Sequence, residues 1–96
     1  MAAATAPQRP VVTLVHSHAC HFCDDARAVL AELATQFPLD VELIDATHPR
    51  GAALLDEHRA AMFPLVLVDG TYFSVGRLSR RKLRKLLGAR LPAGVA

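Results

Sequence analysis

The chain has few cysteines and no long apolar stretch. Its 96 residues include only two cysteines, and its apolar run at residues 63–68 is too short to cross a bilayer. The first ten residues also lack the apolar core of a secretory signal. We therefore expect a soluble, cytoplasmic protein without membrane contact. In a reducing compartment a lone cysteine pair is seldom a structural staple, so the pair is either catalytic or metal-binding.

Net charge is also low. The formal value of +2 does not by itself indicate a nucleic-acid partner, and we expect none. A hydrophobic content of 52% and a charged content of 21% are typical of a globular chain whose length fits one small domain. We expect that domain at residues 10–91, with a flexible arm at residues 1–9 and a flexible tail at residues 92–96.

Hydrophobic spacing predicts seven elements of secondary structure. Short apolar or alternating runs predict four strands, at residues 11–15, 41–44, 65–68 and 71–75. Helical spacing predicts three helices: one that Pro38 closes, one at residues 52–61 capped by Thr47, and one capped by Ser79. The first strand, helix and strand require a parallel pair of strands. The order β-α-β-α-β-β-α therefore predicts an α/β fold, a four-stranded mixed sheet with helices on both faces.

The motif Cys20-His21-Phe22-Cys23 lies where the first predicted strand ends and the first helix begins. A helix N-terminus offers unpaired backbone N–H groups and a partial positive charge, and both stabilise a thiolate. The thiolate is the attacking species, so we expect Cys20 to be an exposed nucleophile whose mixed disulfide Cys23 resolves. His18 and His21, when protonated, would lower the pKa of the Cys20 thiol further.

A metal site is the alternative interpretation of the same residues. Cys20 and Cys23 could supply two zinc ligands, and nearby histidines such as His16 could add more. A second Cys-x-x-Cys pair, which would be the strong zinc signal, is absent from the sequence. We therefore expect a redox pair without a bound metal. A non-catalytic binding module is a further alternative.

These motifs make the chain similar to the thioredoxin superfamily, and its size and element order resemble glutaredoxin. The resemblance is greatest to glutaredoxin-like proteins that carry a Cys-His-x-Cys motif followed by acidic residues. It covers residues 11–87 and rests on the cysteine motif, on Phe63-Pro64 before the third strand, and on Gly76 after the hairpin. The resemblance implies a thiol–disulfide oxidoreductase of thioredoxin-like fold that reduces protein disulfides or glutathione-mixed disulfides, and we expect a monomer. Its redox-active disulfide would serve in place of a separate cofactor.

The resemblance also implies a role for Phe63 and Pro64. The Phe63–Pro64 bond would be cis and would face the two cysteines. Phe63 would offer its backbone N–H and C=O to an extended substrate, as the edge of a sheet does. Pro64, which has no N–H, would pack against the sulfurs and hinder the entry of a metal. Some glutaredoxins share an iron–sulfur cluster between two subunits, and such a cluster is a second metal alternative.

The chain departs from the glutaredoxin pattern where that family holds glutathione. Ser17 replaces the usual lysine, and residues 76–79 have one glycine and no acid. The electron donor is therefore either glutathione or a flavin-dependent disulfide reductase. Residues 80–85 include five cations, which oppose the helix dipole at the start of a helix. We hypothesise that Arg77 and Arg80 attract glutathione carboxylates or an acidic protein surface, and a merely solvated face is the alternative.

Overall fold

The computed structural model describes residues 9–90, and seven elements follow one another in the predicted order β-α-β-α-β-β-α. The strands are β1 (Val11–His16), β2 (Asp40–Asp45), β3 (Leu65–Val68) and β4 (Thr71–Val75), and the helices are α1 (His21–Ala34), α2 (Pro49–Glu57) and α3 (Arg80–Arg90). No helix within residues 9–90 has both the length and the apolar character that crossing a membrane requires.

The four strands form one mixed sheet in the order β2-β1-β3-β4. β1 and β2 are parallel, whereas β3 runs antiparallel to both of its neighbours. Asp69 and Gly70 connect β3 to β4 with φ angles of 51° and 82°, the left-handed conformation that a primed hairpin turn uses. The predicted mixed sheet and its hairpin are therefore confirmed.

Helices cover both faces of the sheet. On one face, residues of β1 and β3 pack against α1 and α3, in a cluster that includes Val12, Leu14, Leu30, Leu33, Val66, Leu83 and Leu87. On the other face, Val15, Ile44, Leu65 and Leu67 pack against α2. Burial of one such side chain stabilises the fold by about 1.5–3 kcal/mol. β1 contributes buried side chains to both clusters, and the cysteine motif follows the C-terminal end of this strand.

Helix α2 begins and ends earlier than the sequence predicts. The prediction of Thr47 as its cap was wrong, because His48 is the N-cap residue and its Nδ1 accepts the N–H of Arg50 at 3.1 Å. Thr47 instead donates its N–H and its hydroxyl to Asp45 Oδ1, at 2.8 and 2.6 Å. The helix ends at Glu57 rather than at residue 61, and Arg59, with φ of 51°, turns the chain toward β3.

The predicted arm and tail fall almost entirely outside the described residues, which exclude 1–8 and 91–96. Arg9 is the one arm residue that the structure describes. Its guanidinium donates to the carbonyl oxygen of Leu39 at 2.9 Å and lies 3.2 Å from the carboxylate of Asp40. Arg9 is therefore held against the start of β2.

Candidate functional site

Cys20 is the N-cap residue of helix α1. β1 ends at His16, and after a short loop Cys20 adopts extended φ and ψ angles of −107° and 106°. Its Sγ accepts the backbone N–H of Cys23 at 3.1 Å. Cys20 and Cys23 form a disulfide, with their Cα atoms 5.1 Å apart. The Cys20 sulfur therefore occupies the place of a capping oxygen, at the positive end of the helix dipole.

The two sulfurs differ in their exposure. Cys20 is partly exposed, whereas Cys23 is only 3% exposed and lies with the core residues. A protein disulfide can therefore approach Cys20, while Cys23 is shielded from solvent. Such an asymmetric pair can divide a two-step thiol–disulfide exchange between an attacking and a resolving sulfur.

His18 and His21 flank Cys20, and each lies near a carboxylate. His18 Nε2 is 3.9 Å from Asp45 Oδ2, and His21 Nε2 is 3.8 Å from Asp25 Oδ2. The pKa of the Asp45 carboxyl is lowered, chiefly by the Thr47 hydroxyl and N–H and also by His18 and His16. Because each imidazole faces a carboxylate, any positive charge it carries is partly neutralised before it can act on the Cys20 sulfur.

The metal alternative lacks a ligand set in the part of the chain that the structure describes. Within residues 9–90, no three histidine, cysteine, aspartate or glutamate side chains lie together as a bound metal ion would require. Cys20 and Cys23, the two donors that a soft metal would need most, are bonded to each other.

The Phe63–Pro64 peptide bond is cis, as expected from the sequence. Leu65 pairs with Val15, so Pro64 stands at the end of the sheet where β1 leads into the cysteine loop. The Pro64 carbonyl accepts the N–H of Gly76 at 3.0 Å, which connects this segment to the end of β4. Phe63 is half-buried, and its backbone N–H and C=O bond to no other described residue. Within residues 9–90 both groups therefore have no hydrogen-bond partner.

Arg77 and Arg80 lie together in a cleft of about 560 Å³ between α1 and the start of α3. Asp25 and Glu32 of α1 form the facing wall, and Asp25 is also the neighbour of His21 beside the disulfide. Arg80 lies 3.3 Å from Glu32, so its charge is already paired. Arg77 is exposed and pairs with no carboxylate among the described residues. Of the two predicted anion-binding arginines, only Arg77 therefore keeps its charge unpaired.

Charge is strongly segregated along the chain. Seven of the eleven Lys and Arg residues lie in residues 77–90, which contain no acidic residue, and the other four are outnumbered by nine carboxylates. Glu32 pairs with Arg84 as well as with Arg80, and Arg90 pairs with Asp69. Of the seven cations in residues 77–90, four pair with no described carboxylate, namely Arg77, Arg81, Lys82 and Lys85. The sequence shows the cationic run, but only the tertiary structure shows which of its members are paired.

The fold and the cysteine pair define a thioredoxin-like protein with a Cys-x-x-Cys disulfide, an arrangement compatible with thiol–disulfide redox chemistry. Residues 11–88 match the family described as Glutaredoxin-like domain (DUF836), and the chain belongs to this family. The predicted glutaredoxin-like membership is therefore confirmed. No curated protein matches the chain.

Solved structures of thioredoxin-like proteins are similar to this chain over 88% of its length. A thioredoxin-like protein from Clostridium perfringens is 10% identical, with a TM-score of 0.70 and 73% of that chain covered. Reduced thioredoxin pre-protein from Schistosoma mansoni is 15% identical, with a TM-score of 0.66 and 81% covered. A mutant thioredoxin from Halobacterium salinarum is 22% identical, with a TM-score of 0.64 and 80% covered. These likenesses establish the thioredoxin-like fold.

Proposed function

We propose that this protein is a thiol–disulfide oxidoreductase that reduces protein disulfides through Cys20 and Cys23. The observation that carries the proposal is the Cys20 Sγ at the N-cap, where it accepts the Cys23 N–H at 3.1 Å. When the disulfide is reduced, the same N–H and the helix dipole would face a thiolate. A hydrogen bond to a charged acceptor is roughly twice as strong as one to a neutral acceptor, so this position favours the ionised sulfur.

The reaction proceeds in two exchange steps from the dithiol form. The Cys20 thiolate attacks one sulfur of a substrate disulfide, which forms a mixed disulfide and releases the other substrate sulfur as a thiolate. Cys23 then loses its proton and attacks Cys20, which re-forms the Cys20–Cys23 disulfide and releases the second substrate thiolate. Two electrons pass from the dithiol to the substrate. An external thiol or dithiol donor must then return two electrons to the protein.

Two surfaces next to the disulfide would bind the substrate. The unpaired N–H and C=O of Phe63 would bind an extended segment around the substrate cysteine, and Pro64 would pack against the sulfurs. Arg77, whose charge is unpaired, would attract an acidic group of the partner, and Arg80 would hold Glu32 and so shape the cleft wall.

The donor would be glutathione or a flavin-dependent disulfide reductase, and a reducing cytoplasm would suit either. The Arg77 cleft could receive a glutathione carboxylate, although Ser17 supplies no cation for a second one. A coupled assay separates the two donors. The re-reduction rate of Cys20–Cys23 is measured with each donor in turn, with the other absent.

Thiol titration and intermediate trapping test the mechanism. The rate at which iodoacetamide alkylates reduced Cys20 should follow a pKa below about 8, compared with about 8.5 for an ordinary thiol. Cys23→Ser should accumulate a mixed disulfide with a model protein disulfide. The matched variant Cys20→Ser should accumulate little, because its remaining thiol is buried. An ordinary pKa at Cys20 together with no trapped adduct would contradict the proposal.

A further inference from the structure

Strand β2 has an open edge that is ready to accept another strand. The sheet order leaves one side of β2 without a partner among residues 9–90. The N–H of Asp40 donates to Pro10 at 2.9 Å, and the N–H of Ala46 donates to His16 at 2.7 Å. Because N–H directions alternate along a strand, the even-numbered residues of β2 donate to β1. The N–H groups of Val41 and Leu43 therefore point outward at the edge.

The side chains of Val41 and Leu43 are also exposed. They are opposite Val12 and Leu14 of β1, so they lie on the sheet face that carries α1, and they remain 40% and 45% exposed. With Ala31 and neighbouring α1 residues they line a groove of about 180 Å³. Arg27 lines the same groove and pairs with no carboxylate among the described residues. This side of the edge is thus apolar with a single positive charge.

The opposite side of the edge has different chemistry. A second cleft, of about 260 Å³, lies on the face that carries α2, and Glu42, Asp45, His48 and Arg50 line it. Arg50 is already bonded to Glu42, which leaves the Asp45 carboxylate as the charge that no arginine offsets. A strand placed on β2 would direct alternate side chains into these two clefts.

The other edge of the sheet is less suited to strand addition. The pairing of β4 with β3 shifts register between Val66 and Leu67, and such irregularities protect edges in natural sheets. The pairing of β2 with β1 is continuous over six residues, and β2 contains no proline or lysine. β2 therefore lacks a bulge, a proline and a lysine, and its three acidic residues, Asp40, Glu42 and Asp45, would favour a positively charged partner strand.

We propose that β2 binds an extended segment of a partner protein by strand addition. Two apolar side chains, two positions apart, would cover Val41 and Leu43, and a carboxylate on the same face would pair with Arg27. A lysine or arginine on the other face would meet the Glu42 and Asp45 side. The far end of β2 lies beside the disulfide loop, since Asp45 is 3.9 Å from His18. The binding itself does not depend on the redox activity.

A second copy of this chain matches the edge less well than such a segment. In a two-fold dimer, β2 of the second copy would place its Glu42 near a cleft that already contains Glu42 and Asp45. The same dimer would place the unpaired Arg27 of each copy on the same face of the joined sheets. The partner segment that we propose carries the opposite charges on both faces. We expect this protein to be a monomer, and strand addition from another protein is consistent with that.

Amide exchange of the ¹⁵N-labelled protein tests the proposal with a synthetic peptide. The peptide is blocked at both ends and alternates valine, leucine and glutamate on one face with threonine and lysine on the other. At saturation it should slow exchange of the Val41 and Leu43 amides by about tenfold or more, and it should leave the β4 edge unchanged. Leu43→Lys should lose the effect, whereas the matched variant Thr71→Lys on β4 should keep it.

Exchanging the charges of the peptide glutamate and of Arg27 gives a second test, which remains valid even if Leu43→Lys fails to fold. A peptide with lysine in place of its glutamate should bind the wild-type protein about fivefold more weakly, and Arg27→Glu should restore that binding. No slowing of the two amides at about 1 mM peptide would overturn the proposal. It would also be overturned if the protein alone doubled its mass from 10.4 kDa at high concentration while the same two amides became protected, because the occupant would then be a second copy.

Discussion

Replacing Gly51 with alanine should destabilise the protein, although the same replacement at Gly88 should stabilise it. Both glycines lie in helices, Gly51 as the third residue of α2 and Gly88 near the end of α3. A β-carbon on Gly51 would overlap the backbone carbonyl oxygen of Asp45 and would lie 3.0 Å from Ile44 Cγ2. A β-carbon on Gly88 would meet no atom within 4 Å. The pair therefore separates steric contact from helix propensity.

The size of the effect follows from two opposing contributions. Alanine is better than glycine in a helix by about 0.5–1 kcal/mol, and both variants gain this amount. At Gly51 the new methyl group meets backbone rather than a flexible side chain, so α2 must move away from β2. Overpacking of this kind costs about 3 kcal/mol. The free energy of unfolding should therefore fall by about 2 kcal/mol for Gly51→Ala and rise by about 1 kcal/mol for Gly88→Ala.

Urea denaturation followed by circular dichroism measures both changes. With a slope of about 1.5 kcal/mol per M, the midpoints of the two variants should differ by about 2 M urea, with the wild-type midpoint between them. Equal midpoints for the two variants would refute the close approach of α2 to β2. So would a Gly51→Ala protein that is more stable than the wild type.

Two further substitutions test charges described above. The pKa of the Glu42 carboxyl is lowered, chiefly by its hydrogen bond from Arg50, so ionised Glu42 stabilises the fold above its unfolded pKa and loses this effect as pH falls through the folded pKa. Glu42→Gln should therefore be less stable than wild type at pH 7 by about 0.5–1 kcal/mol, and urea titrations should show the gap closing between about pH 5 and pH 3; a gap independent of pH would contradict this origin. Arg77→Glu should lower kcat/KM for an acidic protein disulfide several-fold at low salt and by little at about 0.5 M salt, whereas the control Arg59→Glu should change it little at either. Equal losses in both variants would assign the effect to net charge alone.

Much of the fold is visible in local sequence patterns. The bounds of β3 and β4 match the predicted ranges, and β1 and β2 extend theirs by one or two residues. Ser79 caps α3 as expected, with its Oγ accepting the N–H of Lys82 at 3.2 Å. These features depend on alternating side chains, on turn residues and on capping residues, all of which act over a few positions.

Features that depend on tertiary contacts were not predictable in the same way. Threonine is a frequent N-cap residue, but Asp45 binds both hydrogen-bond donors of Thr47, and the cap passes to His48. Nothing local indicates that Arg59, two residues after the end of α2, adopts a left-handed conformation. The pairing of Arg80 with Glu32 joins residues 48 positions apart and exists only because α1 and α3 pack on the same face. The sequence therefore indicates the cysteine site more fully than its charged surroundings.

The concentration of cations at the C-terminal end of the described chain makes the molecule electrically lopsided despite its small net charge. At low ionic strength, the electric field of the protein would exert a torque on a charged partner and orient it before contact. At physiological salt the field reaches only about 8 Å, so this turning would occur within the last few water layers. The association rate constant would then depend on the orientation in which the two proteins approach, even where the final affinity is unchanged.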